Sequence, residues 1–158
     1  TELSREFLSI KLGREEYGIA LPLVQEIRNY ETVTKIANLP NYIKGVINLR
    51  GIIVPIIDLR MKFAIGEANY DHLTIVVILN IAGKFSGIVV DSVSDVVNLD
   101  ADQIKPAPLI DGATDVEYLL GLATIDKRML ILVDIAKMIS SNDLHTMQLA
   151  TEIAPITE

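Results

Sequence analysis

One stretch of this chain occurs twice, and the repeat restricts the fold more than any other feature. Gly45 to Leu59 reads GVINLRGIIVPIIDL, and Gly121 to Ile135 reads GLATIDKRMLILVDI. Aligned without a gap, Gly45 falls on Gly121, Ile57 on Val133 and Asp58 on Asp134. In each copy two apolar, β-rich runs flank a short polar break, Asn48 to Gly51 and Thr124 to Lys127. That is the signature of a β-hairpin, with Gly51 supplying a positive φ in the first. The match extends upstream: Gly18-Ile19-Ala20-Leu21 aligns with Gly87-Ile88-Val89-Val90, and Val24-Gln25-Glu26-Ile27 with Val93-Ser94-Asp95-Val96. Pro40 and Pro108 follow at comparable distances. The spacing between copies grows from 69 to 76 residues across an insert at Leu109 to Leu119. Similarity that persists across an insertion favours duplication over chance matching of β-branched runs.

The remaining elements fit an all-β scaffold with short helices. In Phe7 to Leu12, Leu8, Ile10 and Leu12 share one face, Gly13 to Glu16 turn, and Tyr17 to Leu21 return as a second strand. Thr74 to Ile81, Ala82-Gly83-Lys84 and Phe85 to Val90 repeat that plan, and the nearly all-apolar first strand predicts burial on both faces. Asp58 and Asp134 stand where an N-cap carboxylate accepts backbone N–H groups, ahead of the apolar runs Met61 to Ile65 and Ile135 to Ile139. A last helix is expected over about 141–150, capped by Ser141 or Asn142. Frequent short strands favour barrels or a sandwich over alternating α/β layers. With 158 residues and 50% hydrophobic content, the chain can bury one core or two small cores sharing an interface.

Composition removes several functions. There is no Cys, hence no disulfide, zinc-thiolate site or thiol nucleophile. A net charge of −7 repels phosphate backbones and argues against nucleic acid as a partner. The N-terminal residues lack a signal-peptide pattern, and the longest apolar runs fall far short of the ~20 residues of a membrane helix. A soluble, cytoplasmic protein is expected. His72 and His145 are the two histidines, far apart and without acids at metal-ligand spacing. No nucleophile elbow or phosphate loop occurs. Asp58 and Asp134 admit a catalytic carboxylate pair, but their equivalent places in two units favour separate helix caps. Asp91, Asp95, Asp100 and Asp102 lack the tight spacing of a calcium loop and read as solvated surface.

Glu26 and Arg50 stand out. Glu26 sits between Val24 and Ile27, and Arg50 occupies a hairpin tip that needs no cation. Arg50 reads equally as a solvated turn residue, as the intramolecular partner of Glu26, or as an exposed guanidinium for a partner's carboxylate or carbonyl. Val24, Ile27 and Val46 are candidates for an apolar patch beside it, or for core.

These residues carry a resemblance. VQEIRNYETVTKIANLPNYIKGVINLRGIIVPIIDLRMKF, Val24 to Phe63, closely resembles the signature region of the CheW family, the bacterial chemotaxis coupling proteins. EEYGIALPLVQEI at Glu15 to Ile27, GIVVDSVSDVV at Gly87 to Val97, IKPAP at Ile104 to Pro108 and RMLILVDI at Arg128 to Ile135 extend it over nearly the whole chain. The resemblance implies a single CheW-like domain over 5–150, built of two intertwined five-stranded SH3-like β-barrel subdomains (about 7–70 and 71–140) and the C-terminal helix. It implies no enzymatic activity and no cofactor or metal. It implies an adaptor that joins the cytoplasmic signalling tips of chemoreceptors to the regulatory domain of the histidine kinase CheA. Further copies of the family would sit beside it in arrays, and the membrane would be approached only through receptors. Glu26 and Arg50 match motif positions tied to coupling; Val24, Ile27, Val46 and Gly51 are neighbouring receptor- or kinase-binding candidates. The insert at 109–118 looks variable, so contacts carried by that loop are not transferred. Without a receiver pattern or ATP-binding motif, the chain reads as a stand-alone adaptor. A small-ligand sensor would instead require a closed polar pocket, and an enzyme convergent ionisable groups.

Overall fold

The computed structural model describes residues 5–63, 70–106 and 118–139. The described residues form eleven strands in two sheets. In order they are β1 (Arg5–Leu12), β2 (Glu15–Ala20), β3 (Val24–Asn29), β4 (Ile43–Leu49), β5 (Ile52–Asp58), β6 (Ile75–Ile81), β7 (Lys84–Val90), β8 (Ser92–Leu99), β9 (Ile104–Lys105), β10 (Leu119–Ile125) and β11 (Arg128–Val133). Two one-turn helices, α1 (Leu59–Lys62) and α2 (Ile135–Met138), follow β5 and β11. The six-stranded sheet runs β8-β1-β2-β11-β10-β9 and the five-stranded sheet β3-β6-β7-β5-β4.

Both orders describe one pattern used twice. β3 corresponds to β8, the β1–β2 hairpin to β6–β7, and the β4–β5 hairpin to β10–β11. Even the short β9, which pairs with Leu122 and Ala123, has a counterpart in the isolated bridge between Thr34 and Val46. The hairpins are exchanged between halves: β2 pairs in parallel with β11, and β7 with β5. Each SH3-like barrel is therefore assembled from both copies of the repeat, and a division near residue 70 does not separate them. One barrel has six strands rather than five, because β9 adds an edge. The expected C-terminal helix at 141–150, most of the 109–118 loop and His145 lie outside the described residues.

The exchange follows from two-sided burial. In β6, Val76 and Ile78 enter a private core of the five-stranded barrel with Val33, Leu49, Val54, Ile56 and Val89. Val77 and Leu79, on the opposite face, join a core shared by both barrels with Leu8, Ile10, Leu12, Ile19, Ile57, Ile88 and Val133. β1 behaves alike: Phe7 packs with Val97, Leu99, Leu130 and Leu132 inside the other barrel. A strand apolar on both faces must be covered on both. Each buried aliphatic contributes roughly 1.5–3 kcal/mol. The shared core is the largest of the three, so the two barrels are not separable units. Gly18 and Gly87 permit the parallel crossings, since a Cβ would lie 2.7 Å from Leu132 Cδ2 at one and 2.6 Å from Ile56 Cδ1 at the other.

Both repeated hairpins lead into a helix capped as expected. Asp58 Oδ1 accepts from Arg60 N at 2.9 Å, and Asp134 Oδ1 from Lys137 N at 3.2 Å. The backbone N–H groups of Asp58 and Asp134 each donate to a tyrosine carbonyl, Tyr42 and Tyr118, at 2.7 Å.

Candidate functional site

The β4–β5 turn is tighter than its polar break suggests. Leu49 is a buried strand residue paired with Ile52, which leaves Arg50 and Gly51 as a two-residue loop. Their φ values are 52° and 90°, both positive, as the right-handed twist of the flanking strands demands of a two-residue hairpin. Asn48 Oδ1 accepts from Gly51 N at 2.7 Å and braces the turn. The matching turn carries Asp126 and Lys127 at φ 48° and 69°. Hairpin geometry, rather than the arginine, therefore sets the left-handed conformation.

Glu26 and Arg50 meet. β3 alternates, with Glu26 and Arg28 on one face and Gln25, Ile27 and Asn29 on the other. Arg50 Nη2 donates to Glu26 Oε1 at 2.7 Å, Arg28 Nη1 to Glu26 Oε2 at 3.0 Å, and Arg28 Nη2 to Glu31 Oε2 at 3.0 Å. One carboxylate thus holds two guanidinium groups and spans from edge strand β3 to the β4–β5 tip. The Arg50 hydrogen bond, with help from Arg28, keeps the Glu26 carboxyl below its ordinary range. Arg28 is one-quarter exposed and fixed at both ends, whereas Arg50 is 69% exposed. The intramolecular pair forms, yet most of the Arg50 guanidinium still faces solvent.

The aliphatic candidates separate. Ile27 is 44% exposed on the outer face of β3. Val24 is half-buried and packs against the shared core. Val46 is buried at 3% exposure and is not surface. Its backbone pairs with Thr34, with Thr34 N donating to Val46 O at 2.8 Å and Val46 N to Thr34 O at 2.9 Å. Of the candidate residues, Glu26, Arg50 and Gly51 therefore meet at one edge, Ile27 is exposed on the opposite face of β3, Val24 lies behind, and Val46 is in the core. Exposed Ile52, next to Gly51, extends that edge.

Three groups escaped the sequence reading. Arg28 lies two residues from Glu26, and the period of a strand alone would have put it on the same face. Asp95 is the counterpart of Glu26 in the repeat, and Arg128 Nη2 binds both Asp95 Oδ1 at 3.0 Å and Glu16 Oε1 at 2.5 Å. The repeat therefore held the signal for this second carboxylate–arginine contact. The Arg128 hydrogen bond keeps the Glu16 carboxyl below its ordinary range. Asp91 is not solvated surface, because it accepts from Arg60 Nη1 and from Gly13 N, each at 2.7 Å. No local pattern announces that contact.

Among the described residues no group of three or more His, Cys, Asp or Glu side chains is placed to hold a metal. His72 is exposed. An open cleft of about 420 Å³ between Arg5, Glu6, Phe7, Ala20, Pro22 and Leu120 lacks the convergent donors of a small-molecule site. No described helix is long and apolar enough to cross a membrane. The β3 and β4–β5 edge presents a guanidinium, a shared carboxylate and exposed aliphatics.

Comparison with known proteins agrees with the fold. The chain is 56% identical over 142 residues to the chemotaxis protein CheW of Klebsiella aerogenes, covering 90% of this chain and 86% of that protein. It is 32% identical to the chemotaxis protein CheW of Treponema pallidum, covering 89% and 85%. The crystal structure of the scaffolding protein TtCheW from Thermoanaerobacter tengcongensis superposes with a TM-score of 0.79 at 32% identity, covering 89% of this chain and 96% of that one. Residues 6–143 match the CheW-like domain, and the chain belongs to the family that this domain defines.

Proposed function

We propose that this protein is a non-enzymatic adaptor of bacterial chemotaxis that couples chemoreceptors to the histidine kinase CheA. The observation that carries the reading is the β3/β4–β5 edge, where Arg50 is held by Glu26 yet mostly exposed, while Ile27 is exposed on the opposite face of β3. The similarity to chemotaxis proteins and to a scaffolding protein supports it. In this reading the cytoplasmic signalling tip of a receptor lays an apolar helix face against Ile27 and its neighbours. The regulatory domain of the kinase is the second partner, and further copies of the chain join in the array. The charges at the rim set register, and the apolar contact supplies most of the affinity. The protein would act in the cytoplasm, drawn to the membrane through receptors.

The experiment is a titration of a labelled receptor signalling fragment, and separately of the kinase regulatory domain, against wild type, Arg50→Ala and Ile27→Ala at low and high salt. Ile27 is already about half-covered, so removing its contact costs about 1 kcal/mol, or roughly fivefold in affinity. Arg50→Ala should weaken binding while leaving the denaturation midpoint unchanged. If neither substitution alters binding of either partner, this edge is not the coupling surface. If salt abolishes binding while Ile27→Ala is neutral, recognition is electrostatic and the apolar contact at Ile27 is wrong.

A further inference from the structure

The two halves of the molecule are not locked together equally. The chain passes between barrels at two equivalent corners, from β2 to β3 through Leu21–Leu23 and from β7 to β8 through Asp91. In the repeat, Asp91 corresponds to Pro22, and Arg60, in α1, corresponds to Ala136 in α2. At the Asp91 corner, Arg60 is a fully buried cation with its side chain 1% exposed. Its Nε and Nη2 donate to Asp58 Oδ1 and Oδ2 at 3.1 and 3.0 Å, and its Nη1 to Asp91 Oδ1 at 2.7 Å. Asp91 Oδ2 then accepts from Gly13 N at 2.7 Å, and Asp91 N donates to Lys11 O at 3.0 Å. Asp58 ends β5 of the five-stranded barrel, whereas Lys11 and Gly13 belong to the β1–β2 hairpin of the six-stranded one. The path from Asp58 through Arg60 and Asp91 to Gly13 therefore ties one barrel to the other with charge-assisted bonds. The Tyr70 ring covers Arg60 at 5.1 Å, and its hydroxyl donates to Asp58 Oδ2.

At the other corner Asp134 keeps the place of Asp58, but the two described positions that would complete the path differ. Pro22 lacks both the carboxylate of Asp91 and the N–H that Asp91 donates to the neighbouring barrel, and Ala136 lacks the guanidinium. The open cleft between Arg5, Glu6, Phe7, Ala20, Pro22 and Leu120 lies at this corner. Its equivalents at the opposite corner include Val89, Asp91 and Lys44, and there the Tyr70 ring lies within 5.3 Å of Lys44 Nζ.

We propose that Arg60 and Asp91 form an inter-barrel lock at one crossover, and that relative motion of the barrels pivots about Asp91 and opens the Pro22 corner. An adaptor built this way yields along a single hinge, so a partner held on one barrel shifts the other in one direction.

Hydrogen exchange of backbone amides, measured residue by residue on the full chain, tests this directly. The repeat supplies matched pairs: Ala20 with Val89, Leu23 with Ser92, and Leu120 with Lys44. In wild type the Pro22-corner member of each pair should exchange faster. Asp91→Asn keeps an acceptor for Gly13 N but weakens the bond to Arg60, and should speed exchange about tenfold at Gly13 and at the amides around position 91. Amides of Val77 and Ile88 in the shared core should not change. Equal rates within the matched pairs of wild type would overturn the proposal, even if the variant failed to fold. So would a uniform acceleration across the chain in Asp91→Asn, since that reports lost global stability rather than a released corner.

Discussion

Replacing Gly45 with alanine should be among the most damaging single-methyl changes this chain can suffer. Gly45 sits at a register shift in the β4–β5 pairing, at φ 141°, where L side chains rarely go. A Cβ there would land on the carbonyl oxygen of Thr34, with Lys35 Cα 3.2 Å away. The obstruction is backbone, so no rotamer relieves it. Thr34 is held in place by two backbone hydrogen bonds with Val46. Pushing Thr34 away loses both, at about 1 kcal/mol each. Keeping alanine at this φ costs a further ~1–3 kcal/mol. The expected loss is about 3–5 kcal/mol, a large part of the ~5–15 kcal/mol that holds a domain folded. Gly83→Ala is the control: its φ is also positive, at 82°, but no atom lies within 4 Å of the added methyl. It should cost only the conformational penalty of about 1–2 kcal/mol. Urea denaturation followed by circular dichroism, with the slope checked for constancy, gives both values. A Gly45→Ala variant no less stable than Gly83→Ala would refute the claim that close approach of Thr34 sets this position. Because the bulge at Gly45 aims the hairpin that carries Arg50, the variant should also bind partners less well.

Two further outcomes are expected. Val46→Ala should lower stability by about 2 kcal/mol, as for a buried aliphatic, while Ile27→Ala leaves the urea midpoint nearly unchanged; equal effects would contradict the assignment of one to core and the other to surface. Burial, reinforced by the Asp58 carboxylate, raises the Tyr70 phenol above its ordinary value of 10.0. Above pH 10 the unfolded chain therefore loses this proton first, the native state binds more protons, and stability falls as pH rises. Tyr70→Phe should flatten that alkaline slope, leaving the part due to Tyr17 and Tyr30, which burial also raises. An unchanged slope would mean that Tyr70 ionises as freely as in water.

Much of this architecture is written locally and could be read from residue order alone. The duplicated hairpins, the positive φ at Gly51 and the caps at Asp58 and Asp134 each depend on neighbours a few residues away, as does the shared face of Leu8, Ile10 and Leu12, whereas the burial of Phe7 and Ser9 on the other face does not. The placement of Arg50 at a tip is local as well. Partners distant along the chain could not be read this way. The β1–β2 hairpin leaves its own half to pair with β11, because strands apolar on both faces gain more from two covers than from one. Val46 is core, and its backbone pairs with Thr34, a contact between segments that share no pattern. Asp91 is a ligand of buried Arg60 rather than one of four surface acids, and the two lie 31 residues apart. Glu26 and Arg50, separated by 24 residues, could be named from the sequence with their pairing as one of three open readings, and only the closing of two strand edges decided that the ion pair forms.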